Sequence, residues 1–236
     1  MDFLKAFIED CRYYDIKKVE ARTIAKNVNL KNKTILDIGT GIGRLAFPLS
    51  KYAKEIIALD KDRRFKGYFD KHKNKKIKFV NQSAEKFLGR GAKFDVILLA
   101  WPTINFRCIN LIKKAVNEDM RFIFITCDNN SDFEKIINEL EEGRSFDEDI
   151  KNKRKFISLL PKNFKIISRK RINTEYVYPN QKTAFRVIKN SMNLWFKTKF
   201  NKEKEGKLKE IIKKHKKDNK IIFREKIWLY LMENEI

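Results

Sequence analysis

The sequence predicts a doubly wound α/β fold, a mostly parallel sheet with helices on both faces. Two observations predict it. From Thr34 onward, short apolar runs of strand length alternate with segments of helical apolar spacing, and this alternation implies right-handed crossovers between parallel strands. The first run, TILDI, passes directly into the glycine-rich stretch GTGIG, and the second, EIIALD, ends in an acid. In such sheets a ligand sits beyond the carboxyl ends of the strands, where both features fall.

The elements follow in order. Phe3, Leu4, Phe7, Ile8 and Cys11 recur at helical spacing, and Val19, Thr23, Ile24 and Val28 suggest a second helix, so residues 1–33 read as an N-terminal helical cap. Tyr13 and Tyr14 lie at the junction, either anchoring the cap or closing over a ligand. Strands are expected at Thr34–Ile38, Glu55–Leu59, Lys76–Val80, Phe94–Ala100 and Arg121–Thr126. Helices are expected at Leu45–Lys51, Arg63–Lys71, Ser83–Phe87 and Asn105–Val116. Phe133–Leu140 reads as helical, Glu141–Lys155 as a polar loop or weak helix, and Phe164–Arg171 with Ile172–Val177 as extended. A helix at Thr183–Phe196 and a basic one near Glu205–Lys217 form an insertion, 179–220, before a closing strand at Ile221–Leu231. The expected organisation is one domain over 1–236, with the cap, a core at 34–178, the insertion and a closing segment at 221–236.

At 236 residues and 42% apolar composition, the chain can bury one large core or two modest ones. No run is long and apolar enough to cross a bilayer, and the acids in MDFLKAFIEDC do not suit a secretion signal, so a cytoplasmic protein is expected. Cys11, Cys108 and Cys127 are too scattered for a disulfide or zinc framework and read as small core residues. His72 and His215 lie among lysines, which argues against metal or general-base roles. The net charge of +23 is local: residues 1–150 carry +6 and residues 151–236 carry +17. Such a basic third attracts phosphate backbones, anionic membranes or anionic small molecules, although lysine-rich composition alone also raises charge.

The glycines Gly39, Gly41 and Gly43 let backbone approach a ligand closely. Their spacing is tighter than a dinucleotide fingerprint, and no Gly-Lys-Ser/Thr follows, which excludes a P-loop. With Asp37 ahead of it, the turn suits a ligand bearing an ammonium or sulfonium group. Asp60 is placed to accept from the ribose hydroxyls of an adenosine. Lys61 either lies over an adenine face or is an ordinary surface lysine. Ser83 and Ala84 follow the third strand, where a side chain reaches the adenine amino group, although a helix cap explains Ser83 as well.

The run LDIGTGIGR, the acid Asp60, the SAE step after the third strand and FDVILLAW resemble the class I S-adenosylmethionine-dependent methyltransferases. The resemblance spans about residues 30–130 by motif and extends more loosely to the closing strands. It implies a Rossmann-like, seven-stranded sheet with a reversed C-terminal strand, and S-adenosyl-L-methionine as cofactor. Carried over residue by residue, it implies that Gly39, Gly41 and Gly43 bend around the methionine portion and that Asp37 lies beneath its amino group. Asp60 would bind ribose, Ser83 and Ala84 would flank adenine, and Ala100 and Trp101 would border the transferable methyl. The family often has an acid at Ser83. Members that methylate exocyclic base amines carry Asn or Asp followed by Pro-Pro and an aromatic where this chain has Ala100, Trp101, Pro102 and Thr103, which argues against that acceptor.

The expected function is methyl transfer by in-line attack, which needs alignment more than acid–base catalysis. No catalytic residue is assigned. The acceptor, a small metabolite or protein side chain, is expected between the cap and the insertion, with Tyr13, Tyr14, Trp101 and Trp195 as substrate-binding candidates. An RNA or ribosome methyltransferase using the basic C-terminal third is the alternative, and a non-catalytic interaction protein the second. The sequence assigns no oligomeric state.

Overall fold

The structure is a computed structural model, and it describes residues 2–101, 111–112, 115–128, 131–141, 158 and 164–234. The chain divides into two compact units. One comprises Glu20–Cys127, Asp149–Ile172 and Trp228–Ile236, and the other Met1–Val19, Asp128–Glu148 and Asn173–Ile227. This grouping cuts across the divisions expected along the chain, because the two longest strands each contribute residues to both units.

The sheet unit holds most of helix α2 (Val19–Asn27) and then β1 (Thr34–Ile38), α3 (Ala46–Leu49), β2 (Glu55–Asp60) and a 3-10 turn (Arg63–Phe65). It continues through α4 (Lys66–Lys71), β3 (Ile77–Asn81), α5 (Ala84–Leu88), β4 (Phe94–Ala100) and β5 (Val116–Cys127). Strands β6 (Phe164–Tyr178) and β8 (Lys220–Asn234) each place one end here. The sheet order is β3-β2-β1-β4-β5-β8-β6, and the two-residue β7 (Lys216–Lys217) pairs antiparallel with β8 as an eighth strand. The doubly wound fold expected from the alternation is present: β1 pairs in parallel with β2 and β4, β2 with β3, and β4 with β5.

Parallel strands covered on both faces must be apolar throughout, and Leu36, Ile38, Leu59, Ile97, Leu99, Phe122 and Phe124 are all buried in one cluster. Burying side chains of this size stabilises by about 1.5–3 kcal/mol each relative to exposure. Strand β5 begins five residues before the expected Arg121 because its first part is polar, and its pairing to β4 shifts register between Phe94 and Val96. α3 is shorter than expected, and the expected helix Asn105–Val116 lies largely outside the described residues.

The second unit contains α1 (Phe3–Tyr13), α6 (Asp132–Leu140), α7 (Gln181–Phe196) and α8 (Lys202–Lys214), with β7 and the remaining ends of β6 and β8. Each helix begins at a side-chain cap that satisfies an orphan amide. Asp2 accepts from Leu4 N at 2.9 Å, Ser131 from Glu134 N at 3.1 Å, Asn180 from Thr183 N at 2.8 Å and Asn201 from Lys204 N at 2.8 Å. The apolar residues of the 179–220 insertion pack here: Val187, Ile188 and Met192 of α7 join Leu208 and Ile211 of α8 and Ile136 of α6.

Candidate functional site at the carboxyl ends of β1 to β4

Register brings the strand ends together. Asp37 stands opposite Ala58 and Leu98, Asp60 opposite Asn81, and Ala100 opposite Ile125, so the carboxyl ends of β1, β2, β3 and β4 share one edge. Immediately after β1, Gly39, Gly41 and Gly43 adopt φ of 72°, 56° and 75°, a left-handed conformation that costs a side-chain-bearing residue energy. The N–H groups of Gly39 and Thr40 donate to Leu59 O at 2.8 and 3.1 Å, which ties the turn to the end of β2. A Cβ at Gly39 would meet no described atom within 4 Å and would project into open space, whereas one at Gly43 would strike the Phe47 and Phe69 rings at 2.8 Å.

Asp60 holds the turn from the other side. One carboxylate oxygen accepts from Gly41 N at 2.9 Å and the other from Asp62 N at 2.9 Å. Each oxygen retains a second lone pair, so the acid can still accept from a pair of hydroxyls. Asp37 is buried, accepts from the Thr40 hydroxyl at 2.7 Å, and has its carboxyl pushed up to about 6 chiefly by loss of solvent. The Thr40 bond and the Arg44 charge pull it down, and the Asp60 charge adds to the rise. A buried carboxyl of this kind favours a cationic group beside it.

Arg44 lies 2.8 Å from Glu20, which is fully buried on α2; the pair is a close ion contact without the alignment of a strong hydrogen bond. Sequence reasoning missed Glu20, because nothing in its spacing marks a partner for the residue after the turn. It also passed over Gln82, which follows Asn81 at the end of β3. Gln82 N donates to Asp60 O at 3.0 Å, and its buried Oε1 has no hydrogen-bond partner among the described residues. An unpaired buried amide oxygen is costly unless a donor is supplied, and an adenine amino group would supply one.

Other expected residues fall as follows. Ser83 caps α5, its hydroxyl accepting from Lys86 N at 3.3 Å, and Ala84 opens that helix as a buried residue. Lys61 is exposed beyond β2. Trp101 leaves β4 with φ 52°, unusual for so bulky a residue; its N–H donates to Ile125 O at 2.9 Å and its side chain is exposed. Pro102 and Thr103 lie outside the described residues. Tyr13, Tyr14 and Trp195 belong to the second unit. Tyr14 is buried, its hydroxyl accepting from Thr174 at 3.0 Å and its ring on Tyr176. Tyr13 packs against Tyr178, and Trp195 donates to buried Asp10 at 3.3 Å while its ring meets Phe7. Cys11 and Cys127 are half-buried rather than core, and Cys108 is outside the described residues. Among the described residues no cluster of His, Cys, Asp or Glu could hold a metal, and no helix is long and apolar enough to cross a membrane.

Residues 35–123, which carry the glycine turn, both acids, Gln82 and Trp101, match the family model described as a methyltransferase domain. These residues form a methyltransferase domain. The methyltransferase domain also has a short likeness to a curated protein of Methanosphaera stadtmanae named "Probable ribosomal RNA small subunit methyltransferase A", 44% identical over 50 residues. That match covers 21% of this chain and 18% of the relative, so this chain matches under a fifth of that protein's length. Among solved structures, the YcgJ protein of Bacillus subtilis is similar over 92% of this chain and 98% of its own, with TM-score 0.57 and 16% identity. A candidate methyltransferase of Bacillus halodurans is similar over 92% and 99%, with TM-score 0.56 and 13% identity. At such identities these structures speak to the fold that carries the domain, and a fold alone does not assign a reaction.

The methyltransferases that the glycine turn and its acids resemble use S-adenosylmethionine, and the residues present fit that molecule. Asp37 is a buried acid suited to an ammonium group, Gly39 lacks the Cβ that would enter the open space, Asp60 keeps two acceptor lone pairs, and Gln82 offers an unpaired acceptor.

Proposed function

We propose that this chain transfers a methyl group from S-adenosylmethionine to a nucleophile on RNA. The observation that carries the cofactor half is the pairing of Gly41 N with the Asp60 carboxylate beside the open face of Gly39, which joins the turn and the ribose-type acceptor into one cradle. Asp37 would face the amino group, Gly39 and Gly41 the methionine portion, Asp60 the ribose, and Gln82 with Ser83 and Ala84 the adenine. When bound, S-adenosylmethionine supplies a sulfonium-activated methyl open to in-line attack. The protein's share is to hold, orient and exclude water, and no general acid or base is required. Ala100 and the sharply turned Trp101, whose indole is exposed, would border the acceptor atom.

RNA is favoured as acceptor by the +17 charge of residues 151–236, and the short likeness to a ribosomal RNA methyltransferase points the same way. A small metabolite or protein side chain held by the cap and insertion is the second reading. It is less supported, because Tyr14 and Trp195 are engaged in the packing of their own unit. A cytoplasmic location accompanies either reading.

The test is calorimetric titration with S-adenosylmethionine and S-adenosylhomocysteine, after the absorbance ratio has established that the preparation is free of nucleic acid. Binding of either, followed by labelled methyl appearing in RNA rather than in protein or small-molecule fractions, is expected. A folded protein that binds neither ligand would move the reading to a non-catalytic interaction protein.

A further inference from the structure

The lysines of the second unit are not distributed like a solvated face. On and around α8, Lys204 pairs with Glu141, Lys207 with Glu203 and Lys189 with Glu205. Lys202 and Lys209 of the same helix have no carboxylate partner among the described residues, and neither do the lysines that follow it. Lys213 and Lys214 end α8, Lys216, Lys217 and Lys220 form the β7–β8 hairpin, and Lys182 lies in the first turn of α7. All six are exposed and none has a carboxylate partner among the described residues. Lys182 and Lys216 line a common open cavity of about 590 Å³ with Asn180, Gln181, Asn219 and Ile221.

The hairpin carries a cost. Register places Lys217 directly opposite Lys220, and like charges in that arrangement repel. The turn between them is tight, with Asp218 at φ 54°, so the two strands are held in register. Asp218 is the only acid between Lys216 and Ile221, the segment that the two strands pair. A rigid array of six lysines with one acid among them is relieved by an anionic partner.

We propose that the β7–β8 hairpin, the end of α8 and Lys182 form a docking surface for the sugar–phosphate backbone of RNA. Lysine is a flexible point charge that neutralises phosphates without reading bases. The amides of Asn180, Gln181 and Asn219 can bond phosphate oxygens or 2′-hydroxyls. An anionic membrane fits less well, since the exposed large apolar residues, Ile16, Tyr52, Trp101, Ile166, Ile167 and Trp195, all lie outside this array. The arginines of β6 have a different explanation: Arg169 lies 3.9 Å over the Trp228 ring at the sheet's edge strand, where charge discourages strand addition. The proposal rests on RNA as the acceptor class, but its failure is separable from failure of the methyltransferase reading.

The experiment is fluorescence anisotropy with a labelled single-stranded RNA of about 20 nucleotides and mixed sequence, titrated over a range of potassium chloride. The variant is Lys182→Ala/Lys216→Ala/Lys217→Ala/Lys220→Ala, with its fold checked by circular dichroism and its cofactor site by S-adenosylmethionine calorimetry. The expected result is RNA binding at least about tenfold weaker and a log–log salt slope lower by about 3, with unchanged cofactor affinity. Equal RNA affinity and slope in variant and parent would overturn the proposal. So would a parent protein that binds S-adenosylmethionine but no RNA, or one that binds phosphatidylserine vesicles more tightly than RNA at matched salt. Weakened RNA binding in a protein that binds no cofactor would leave the surface standing and remove the methyltransferase reading instead.

Discussion

Gly41 donates its backbone N–H to the Asp60 carboxylate at 2.9 Å, so the turn after β1 and the acid ending β2 are one hydrogen-bonded unit. Asp60 therefore buttresses the turn, and in the proposed cofactor site it would also present acceptors to the ligand. Asp60→Ala is expected to abolish measurable S-adenosylmethionine binding and also to lower stability by about 1–3 kcal/mol, because the N–H groups of Gly41 and Asp62 lose a charged acceptor. Calorimetry and urea unfolding check the two effects. Unchanged cofactor affinity would remove the ribose assignment.

The outer glycines of the turn should respond differently to alanine. At Gly43 the added Cβ meets two aromatic rings at 2.8 Å on a backbone with φ +75°, so Gly43→Ala should destabilise by about 1–3 kcal/mol. Gly39→Ala meets no described atom, so its conformational cost is nearer 1 kcal/mol, but its methyl enters the proposed cofactor space. Thermal melts should rank Gly43→Ala as the less stable variant. Cofactor titration should rank Gly39→Ala as the weaker binder relative to its stability.

Asp37 should make folding depend on pH, and with it binding at the proposed cofactor site. Its carboxyl is raised from 3.8 to about 6 in the folded protein, mainly by burial. The folded state therefore holds the proton more tightly than the unfolded chain. The stabilisation this confers is fully present below about pH 4 and is lost as pH rises through 6; it amounts to about 3 kcal/mol. Asp37→Asn should flatten that part of the stability curve. Binding runs the opposite way, because a cationic ligand favours the ionised acid: affinity should rise with pH up to about 6, level off above it, and be accompanied by proton release. Titrations in buffers of different ionisation enthalpy measure that release.

Glu20 and Arg44 should couple. Glu20 is fully buried and Arg44 nearly so, 2.8 Å apart, and removal of one partner strands a buried charge. Glu20→Leu or Arg44→Met alone should cost about 3 kcal/mol, while the double variant Glu20→Leu/Arg44→Met should recover much of that loss. Urea unfolding of all the variants tests the coupling, and additive losses would argue against a direct pair.

The sequence alone determined the doubly wound fold, the turn at Gly39 to Gly43 and the acids at Asp37 and Asp60. These are local signals: strand alternation, glycines needed for left-handed backbone, and an acid at a strand end are written in neighbouring residues. The helix start at Ser83 was legible on the same grounds, as a hydroxyl ahead of a helical run, whereas the helix expected from Thr183 begins at Gln181 behind an Asn180 cap. Tertiary structure decided what depends on distant partners. Only folding sets Glu20 beside Arg44, leaves Gln82 Oε1 without a partner, and gives Tyr14 to Thr174 and Tyr176, residues some 160 positions away. It also gave Lys204 and Lys207 of α8 carboxylate partners and, among the described residues, left the lysines of the β7–β8 hairpin with none. Charge is a property of composition, whereas whether a charge finds a counter-ion depends on which surfaces the fold brings together.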